Sequence, residues 1–225
     1  MDVVSLVPSV TETLLAWGIE PVACTRFCEQ PTLAHVGGTK DPDIGQIVAL
    51  QPDLVVVDEE ENRREDYDAL VAAGVPVHAL ALRDLADVDP AMADLARRVG
   101  ADWEPVPARP HRPIITRAFV PIWRRPWMAL GAPTYGTSLL SILGIENVFA
   151  DAPYPTVTLE EATEQHPGVV LAPSEPYPFT VRQLPELESV APTVFVDGKD
   201  LFWWGARTAG ALERLDVALA GALRS

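Results

Sequence analysis

TLLAWGIEPVACT (Thr13–Thr25) and SLLSILGIENVFAD (Ser138–Asp151) are two versions of one phrase: an apolar helix, a Gly-Ile-Glu break, then a short apolar strand. Glycine just past a helical run is a strong stop signal, because it enters the left-handed conformation without penalty. The phrase predicts that the 225-residue chain repeats one order of elements, and the flanking sequence agrees.

Around the first copy, VVSLVP (Val3–Pro8) is apolar and β-branched, the pattern of a strand buried on both faces. Ser9, with Glu12 three residues later, predicts a capping box that opens the helix. PVACT (Pro21–Thr25) is the next strand, and Pro42–Leu50 is a short helix ended by Gln51-Pro52. DLVVVD (Asp53–Asp58) is the clearest buried strand. A helix through Tyr67, Leu70 and Val71 stops at Gly74, VPVHAL (Val75–Leu80) is a strand, and Pro90–Val99 is a helix ended by Gly100.

Around the second copy, AFVPIW (Ala118–Trp123) opens with a strand. The helix Thr158–Gln165 ends at His166-Pro167, as the earlier one ends at Gln51-Pro52. GVVLAP (Gly168–Pro173) answers DLVVVD, the helix Arg182–Val190 follows, APTVFV (Ala191–Val196) answers VPVHAL, and Gly205–Leu223 is a closing helix. Strands alternating with helices through short loops predict an α/β protein with mainly parallel sheets. The expected organisation is a lobe at 1–100, a connector at 101–117 and a second lobe of similar topology at 118–225. Pro105, Pro107, Pro110 and Pro113 make the connector extended.

Thirty-two acidic residues against 17 basic ones give a net charge of −15. Such a surface repels phosphate backbones and anionic bilayers, so neither nucleic acid nor membrane insertion is expected. Met1-Asp2 leads straight into VVSLVP, and no apolar run approaches the ~20 residues that cross a bilayer. The expectation is therefore a cytoplasmic protein, or an extracytoplasmic one if a leader has been removed. Cys24 and Cys28, the only cysteines, suggest no disulfide framework and fit a reducing compartment.

In open parallel sheets, ligands bind beyond the carboxyl ends of the strands. The loops at those ends supply Pro8, Ser9, Arg26, Phe27, Glu59, Glu60 and Asn62 from the first half. From the second half come Trp123, Arg124, Trp127, Tyr154, Glu175, Tyr177, Trp203 and Trp204. Aromatic faces with a few fixed polar groups suit a large, partly apolar organic ligand held in a cleft between the lobes. The adjacent Trp203 and Trp204 cannot both point inward easily, which places one of them toward ligand or solvent. Catalytic signals are weak. Ser9 lacks a GxSxG setting, and Val36-Gly37-Gly38-Thr39 lacks the strand-to-helix setting of a phosphate loop. The competing reading is an enzyme that uses Glu59, Glu60 or Glu175 as acid or base. Cys24, Cys28 and His35, with Glu29 nearby, have soft-ligand chemistry. Cys24 lies inside a strand pattern, however, where a small buried hydrophobe is the commoner role, and no metal site is expected.

The motifs VVSLVPSVTETLLAWG (Val3–Gly18), GGTKDPDIGQIVALQPDLVVVDEEEN (Gly37–Asn62), FVPIWRRPWMALG (Phe119–Gly131), ENVFADAPYP (Glu146–Pro155) and LAPSEPYPF (Leu171–Phe179) occur in this order. Together they resemble the iron-siderophore and vitamin B12 type of periplasmic-binding protein, closest to its cytoplasmic-looking, cobalamin-binding-like members. The resemblance implies two Rossmann-like lobes that capture a corrinoid, a haem-like molecule or another metal chelate and perform no chemistry. Cobalamin or an iron chelate is then the ligand, and an ABC-transporter permease the partner. In such relatives an aromatic after the last second-lobe strand contacts the corrin, the place of Trp203 or Trp204 here. The first-lobe loop that carries an aromatic in relatives has Asp58-Glu59-Glu60 instead. Permease-docking acids correspond to the neighbourhoods of Glu65 and Glu186. Relatives join their lobes by a long rigid helix, for which Ala101–Arg112 is too short and too rich in proline.

Overall fold

The computed structural model describes residues 1–222. The chain divides into two compact units: Met1–Leu82 with Ala86–Pro105 and Trp204–Arg207, and Arg83–Leu85 with Val106–Trp203 and the residues from Thr208 onward.

The first unit is built on β1 (Val3–Ser5), β2 (Ala23–Cys24), β3 (Ala34–His35), β4 (Leu54–Asp58) and β5 (Val77–Leu80). Their order across the sheet is β3-β2-β1-β4-β5, and every pairing is parallel. All residues of β1 and β4 are buried, as their unbroken apolar runs require. Helices α1 (Pro8–Ala16), α2 (Ile44–Leu50), α3 (Arg64–Ala72) and α4 (Val88–Val99) connect or flank these strands. Val4, Leu6, Val36, Ile47, Val55 and Leu70 form one core against them.

The second unit carries β6 (Thr116–Phe119), β9 (Ile145–Asn147), β10 (Val169–Pro173) and β11 (Thr193–Val196), ordered β11-β10-β6-β9 and again parallel throughout. An antiparallel hairpin, β7 (Pro121–Arg124) with β8 (Trp127–Ala129), follows β6. Helices α5 (Tyr135–Ile142), α6 (Leu159–Glu164), α7 (Leu184–Glu188), α8 (Gly198–Phe202) and α9 (Thr208–Ala222) complete it. Phe119, Val148, Val170, Phe179 and Leu187 are in its core.

The order β2-β1-β4-β5 of the first sheet is the order β9-β6-β10-β11 of the second. The repeated phrase has a common backbone cause: Gly18 and Gly144 sit just beyond α1 and α5 at φ +75° and +78°. Gln51 and His166, each before a proline, are likewise left-handed at φ +48° and +51°.

Three local expectations are corrected. α1 starts at Pro8, with Val7 as an N-cap that offers no side-chain hydrogen bond, so Ser9 is not a cap. Proline at the first helical position needs no N–H partner and its φ is already helical, which moves the start forward. Glu12, freed from the capping box, takes Arg207 through two bonds of 2.9 and 2.7 Å. The capping box forms elsewhere, where Thr158 and Glu161 open α6. AFVPIW is two strands, β6 and β7, instead of one. The closing helix begins at Thr208, after the separate turn of α8; Leu223, its expected end, lies outside the described residues.

Residues 101–115 form neither helix nor strand. Within the first unit, Trp103 meets Trp17 edge-on at 6.2 Å and donates its indole N–H to Asp89 at 2.9 Å. Within the second, Arg109 pairs with Glu213 and Arg112 with Asp216, which fastens this stretch to α9. No described helix is long and apolar enough to cross a membrane.

Candidate functional site

A sheet whose strand order reverses leaves a crevice beyond the carboxyl ends at the reversal, the standard ligand position in open α/β folds. Each unit has one such point: between β1 and β4 in the first, and between β6 and β10 in the second.

At the first reversal, the loop after β4 is pinned by Asn62. Its Nδ2 donates to Leu6 O at 3.1 Å and Thr39 O at 2.9 Å, and its Oδ1 accepts from Asp58 N at 2.9 Å. Asn62 is thus a buried clamp that ties the ends of β1 and β4 and the loop at Thr39 together. Asp58 Oδ1 accepts from the N–H groups of Glu60 and Glu61 at 2.9 and 3.2 Å, while its buried Oδ2 has no partner. Burial pushes the Asp58 carboxyl up to about 7, against the pull of those two N–H donors. Burial raises Glu61 as well, opposed by the Lys40 charge. Lys40 reaches across to the carbonyl of Glu60. Arg26 pairs with Asp41 at 2.9 Å and lies 4.8 Å over the ring of the exposed Phe27. Pro8 is half-buried at the start of α1, Ser9 is buried in its first turn, and Glu59 is exposed.

The second reversal gathers aromatics. β7 and β8 bring Trp123 and Trp127; the loop after β10 brings Tyr177 and Phe179. Trp127 stacks on Phe179 with an interplanar angle of 5° and a centroid separation of 6.0 Å. Phe179 meets Tyr177 at 4.7 Å, and Tyr177 meets the edge of Trp123 at 5.7 Å. The result is a continuous ladder with a gradient of exposure, from Phe179 (4% exposed) to Trp123 (45%). Arg124 is held by Glu186 through bonds of 2.8 and 2.6 Å. The Glu186 carboxylate holds the Arg124 guanidinium well above its usual pKa, and Arg124 in turn lowers that of Glu186. Glu175 packs against Gly198, where a Cβ would lie 2.6 Å from its atoms, so the chain after β11 passes directly over it. Tyr154 is 40% exposed on the loop that follows β9.

The two adjacent tryptophans differ in burial. Trp204 is buried in the first unit, and Trp203, in the second, lies half-buried with Lys199 Nζ 4.7 Å from its ring centroid. Sequence reasoning missed three participants. Phe179 supports the ladder from beneath, Glu186 fixes Arg124, and Asp58 is the buried acid behind its exposed neighbours. The WRRPW turn, two apolar runs flanking Arg124–Pro126, was the available signal for the hairpin.

Cys24 and Cys28 are buried, whereas His35 is exposed and bonded to the carbonyl of Gln30. Among the described residues no group of three or more His, Cys, Asp or Glu side chains could hold a metal.

Residues 3–104 match the family model described as periplasmic binding protein. A vitamin B12-binding protein of Yersinia pestis is 27% identical over 195 residues, covering 75% of this chain and 68% of that protein. The first half of the chain is thus similar to the periplasmic binding proteins, and vitamin B12-binding proteins are among its relatives. Solved structures agree on the fold. The periplasmic vitamin B12 binding protein BtuF of Vibrio cholerae has a TM-score of 0.74 at 19% identity, covering 100% of this chain and 98% of that one. A periplasmic haem-binding protein from Pseudomonas aeruginosa has a TM-score of 0.78 at 19% identity, covering 100% and 93%.

These findings overturn the cytoplasmic expectation, since the matched family and the similar structures are periplasmic.

Proposed function

We propose that this chain binds a tetrapyrrole chelate, a corrinoid or a haem, reversibly and without turnover, as the solute-binding component that delivers it to an ABC-type permease. The observation that carries this reading is the ladder Trp123–Tyr177–Phe179–Trp127 at the strand-order reversal of the second sheet. A flat macrocycle buries a large apolar face, and edge-on and stacked rings add about 0.5–1.5 kcal/mol per pair beyond the area buried. A graded ladder presents Trp123 to the ligand while Phe179 and Trp127 hold it in place. The names of the relatives, vitamin B12-binding and haem-binding, point to the same ligand class.

The roles follow exposure. Trp123, Tyr177 and Tyr154 touch the macrocycle, and the Arg124–Glu186 pair fixes the strand that carries Trp123. Trp203 under Lys199 adds a polar-edged aromatic to the same unit, while Pro8, Phe27 and Glu59 line the first unit's own rim. Glu59, Glu60 and Glu175 carry out no acid–base step. The reading is tested by titrating the protein with cyanocobalamin and with haemin while tryptophan fluorescence is followed. Saturable quenching by one of them, weakened in Trp123→Ala, supports it; the absence of quenching by both overturns it.

A further inference from the structure

The hairpin β7–β8 carries a third extended segment along its free side. Ala129 N donates to Pro155 O and Val157 N to Trp127 O, both at 3.0 Å, and Gly131 N donates to Pro153 O at 2.7 Å. The first two bonds bracket an antiparallel bridge between Met128 and Thr156. Residues 153–157 therefore widen the hairpin into a three-stranded antiparallel ribbon within the second unit.

Register sorts the side chains of this ribbon into two faces, because residues directly opposite share a face and neighbours along a strand alternate. Arg124 lies opposite Trp127, and Trp123 opposite Met128; the bulge in β7 falls before Trp123 and leaves these pairs intact. Trp127, Ala129 and Val157 share the face that builds the second unit's core. Trp123, Met128 and Thr156 make a row across the other face. Two residues along each strand, Leu130 and Tyr154 follow on that same face. It looks away from the core: Trp123, Tyr154 and Thr156 are exposed, and Met128 is half-buried. Only its Leu130 end is closed, where a Cβ on Gly136 of α5 would lie 2.9 Å from Leu130 Cδ2.

The aromatic ladder reaches this face only through Trp123, and Met128 stands next to Trp123 on the middle strand. Neighbouring strands lie about 4.8 Å apart, so the row Trp123–Met128–Thr156 spans roughly 10 Å. It presents an aromatic ring, a thioether and a hydroxyl in sequence. A methionine side chain is unbranched and polarizable, moulds to an irregular surface and makes favourable sulfur–aromatic contacts. A residue serving only as core filling would stand on the opposite face, with Trp127 and Ala129. Resting on the tetrapyrrole reading above, we propose that Met128 is the central ligand contact of this unit. The macrocycle lies on the outer face of the ribbon, over the Met128 thioether, with Trp123 and Tyr154 beside it and the Thr156 hydroxyl at its polar fringe. The ladder braces one side of this platform through Trp123.

Methionine methyl groups test this in the full-length protein, which has three methionines, Met1, Met92 and Met128. Met92 is buried in the first unit and is the internal reference. The methyls are labelled with carbon-13, and the Met128 signal is assigned through Met128→Leu. Haemin and cyanocobalamin are titrated separately. With whichever quenches tryptophan fluorescence, the Met128 signal should shift or broaden in step with the quenching while that of Met92 stays. Met128→Ala should weaken the affinity several-fold, and Met128→Leu, which conserves volume, should retain most of it. Saturable quenching with an unmoved Met128 signal overturns this placement and leaves the tetrapyrrole reading standing. A folded protein quenched by neither macrocycle overturns both.

Discussion

Arg124 grips Glu186 through two parallel bonds of 2.8 and 2.6 Å, so the arginine braces β7, the strand that carries Trp123, against α7. Both partners are charged, which makes such forked bonds the stronger kind. Arg124 lowers the pKa of Glu186. The stabilising contribution of a depressed carboxylate is present above its unfolded value and is lost as pH falls through the folded one. Affinity for the proposed tetrapyrrole should therefore hold steady from neutral pH down to about 5 and weaken below the ordinary glutamate range near 4.3. Glu186→Gln should show a several-fold weaker affinity already at pH 7, measured by fluorescence titration.

The ladder separates binding from stability. Trp123 is nearly half exposed, so Trp123→Ala should leave the urea midpoint close to wild type. Its affinity for tetrapyrrole should fall by about tenfold or more, as for an aromatic anchor. Phe179 is buried, so Phe179→Ala should cost about 3–5 kcal/mol of stability in urea unfolding, whatever its effect on binding.

Asp58 gives stability an unusual pH dependence. Its carboxyl is raised to about 7 by burial, so the native state holds its proton more tightly than the unfolded chain does. The stabilisation is complete below the unfolded value near 4 and is lost as pH rises through about 7. At about 1.4 kcal/mol per pH unit, the loss is on the order of a few kcal/mol. Urea unfolding of the wild type should show stability falling between about pH 4 and 7 and levelling off above. Asp58→Asn should flatten most of that fall, leaving a smaller slope from Glu61, whose pKa is raised in the same direction.

Asp200 is 2% exposed, and its two oxygens accept from Arg214 at 2.6 and 2.8 Å, which ties α8 to α9. Arg214→Met should lower stability by about 1–3 kcal/mol, because a buried carboxylate loses charged donors. Adding Asp200→Asn to that variant should recover part of the loss, a coupling readable from a double-mutant cycle.

The sheet-forming runs were legible because burial on both faces leaves an unmistakable mark: VVSLVP, DLVVVD and GVVLAP became β1, β4 and β10. The repeat was legible for the same reason, since Gly18 and Gly144 must each take a positive φ after a helix. The break between β6 and β7 was not, because AFVPIW is one unbroken apolar run across Val120, and the hairpin that follows is marked only by the Arg-Arg-Pro turn between Trp123 and Trp127. Rim positions such as Trp123 and Tyr177 could be placed by topology alone. Their partners could not. Glu186 lies 62 residues from Arg124, and Thr11 lies 17 from Cys28, and neither spacing leaves a local pattern. Trp204 and Asn62 show the converse. Both lie in post-strand loops as the sequence indicates, yet one fills core and the other clamps backbone.

The most direct measurement is a calorimetric and fluorescence titration of the purified protein with cyanocobalamin and haemin, set beside Trp123→Ala and Phe27→Ala. Stoichiometric, saturable binding of one macrocycle with tryptophan quenching, markedly weakened by Trp123→Ala, is the expected result. Undetectable binding of both macrocycles by a folded wild-type protein would contradict the account.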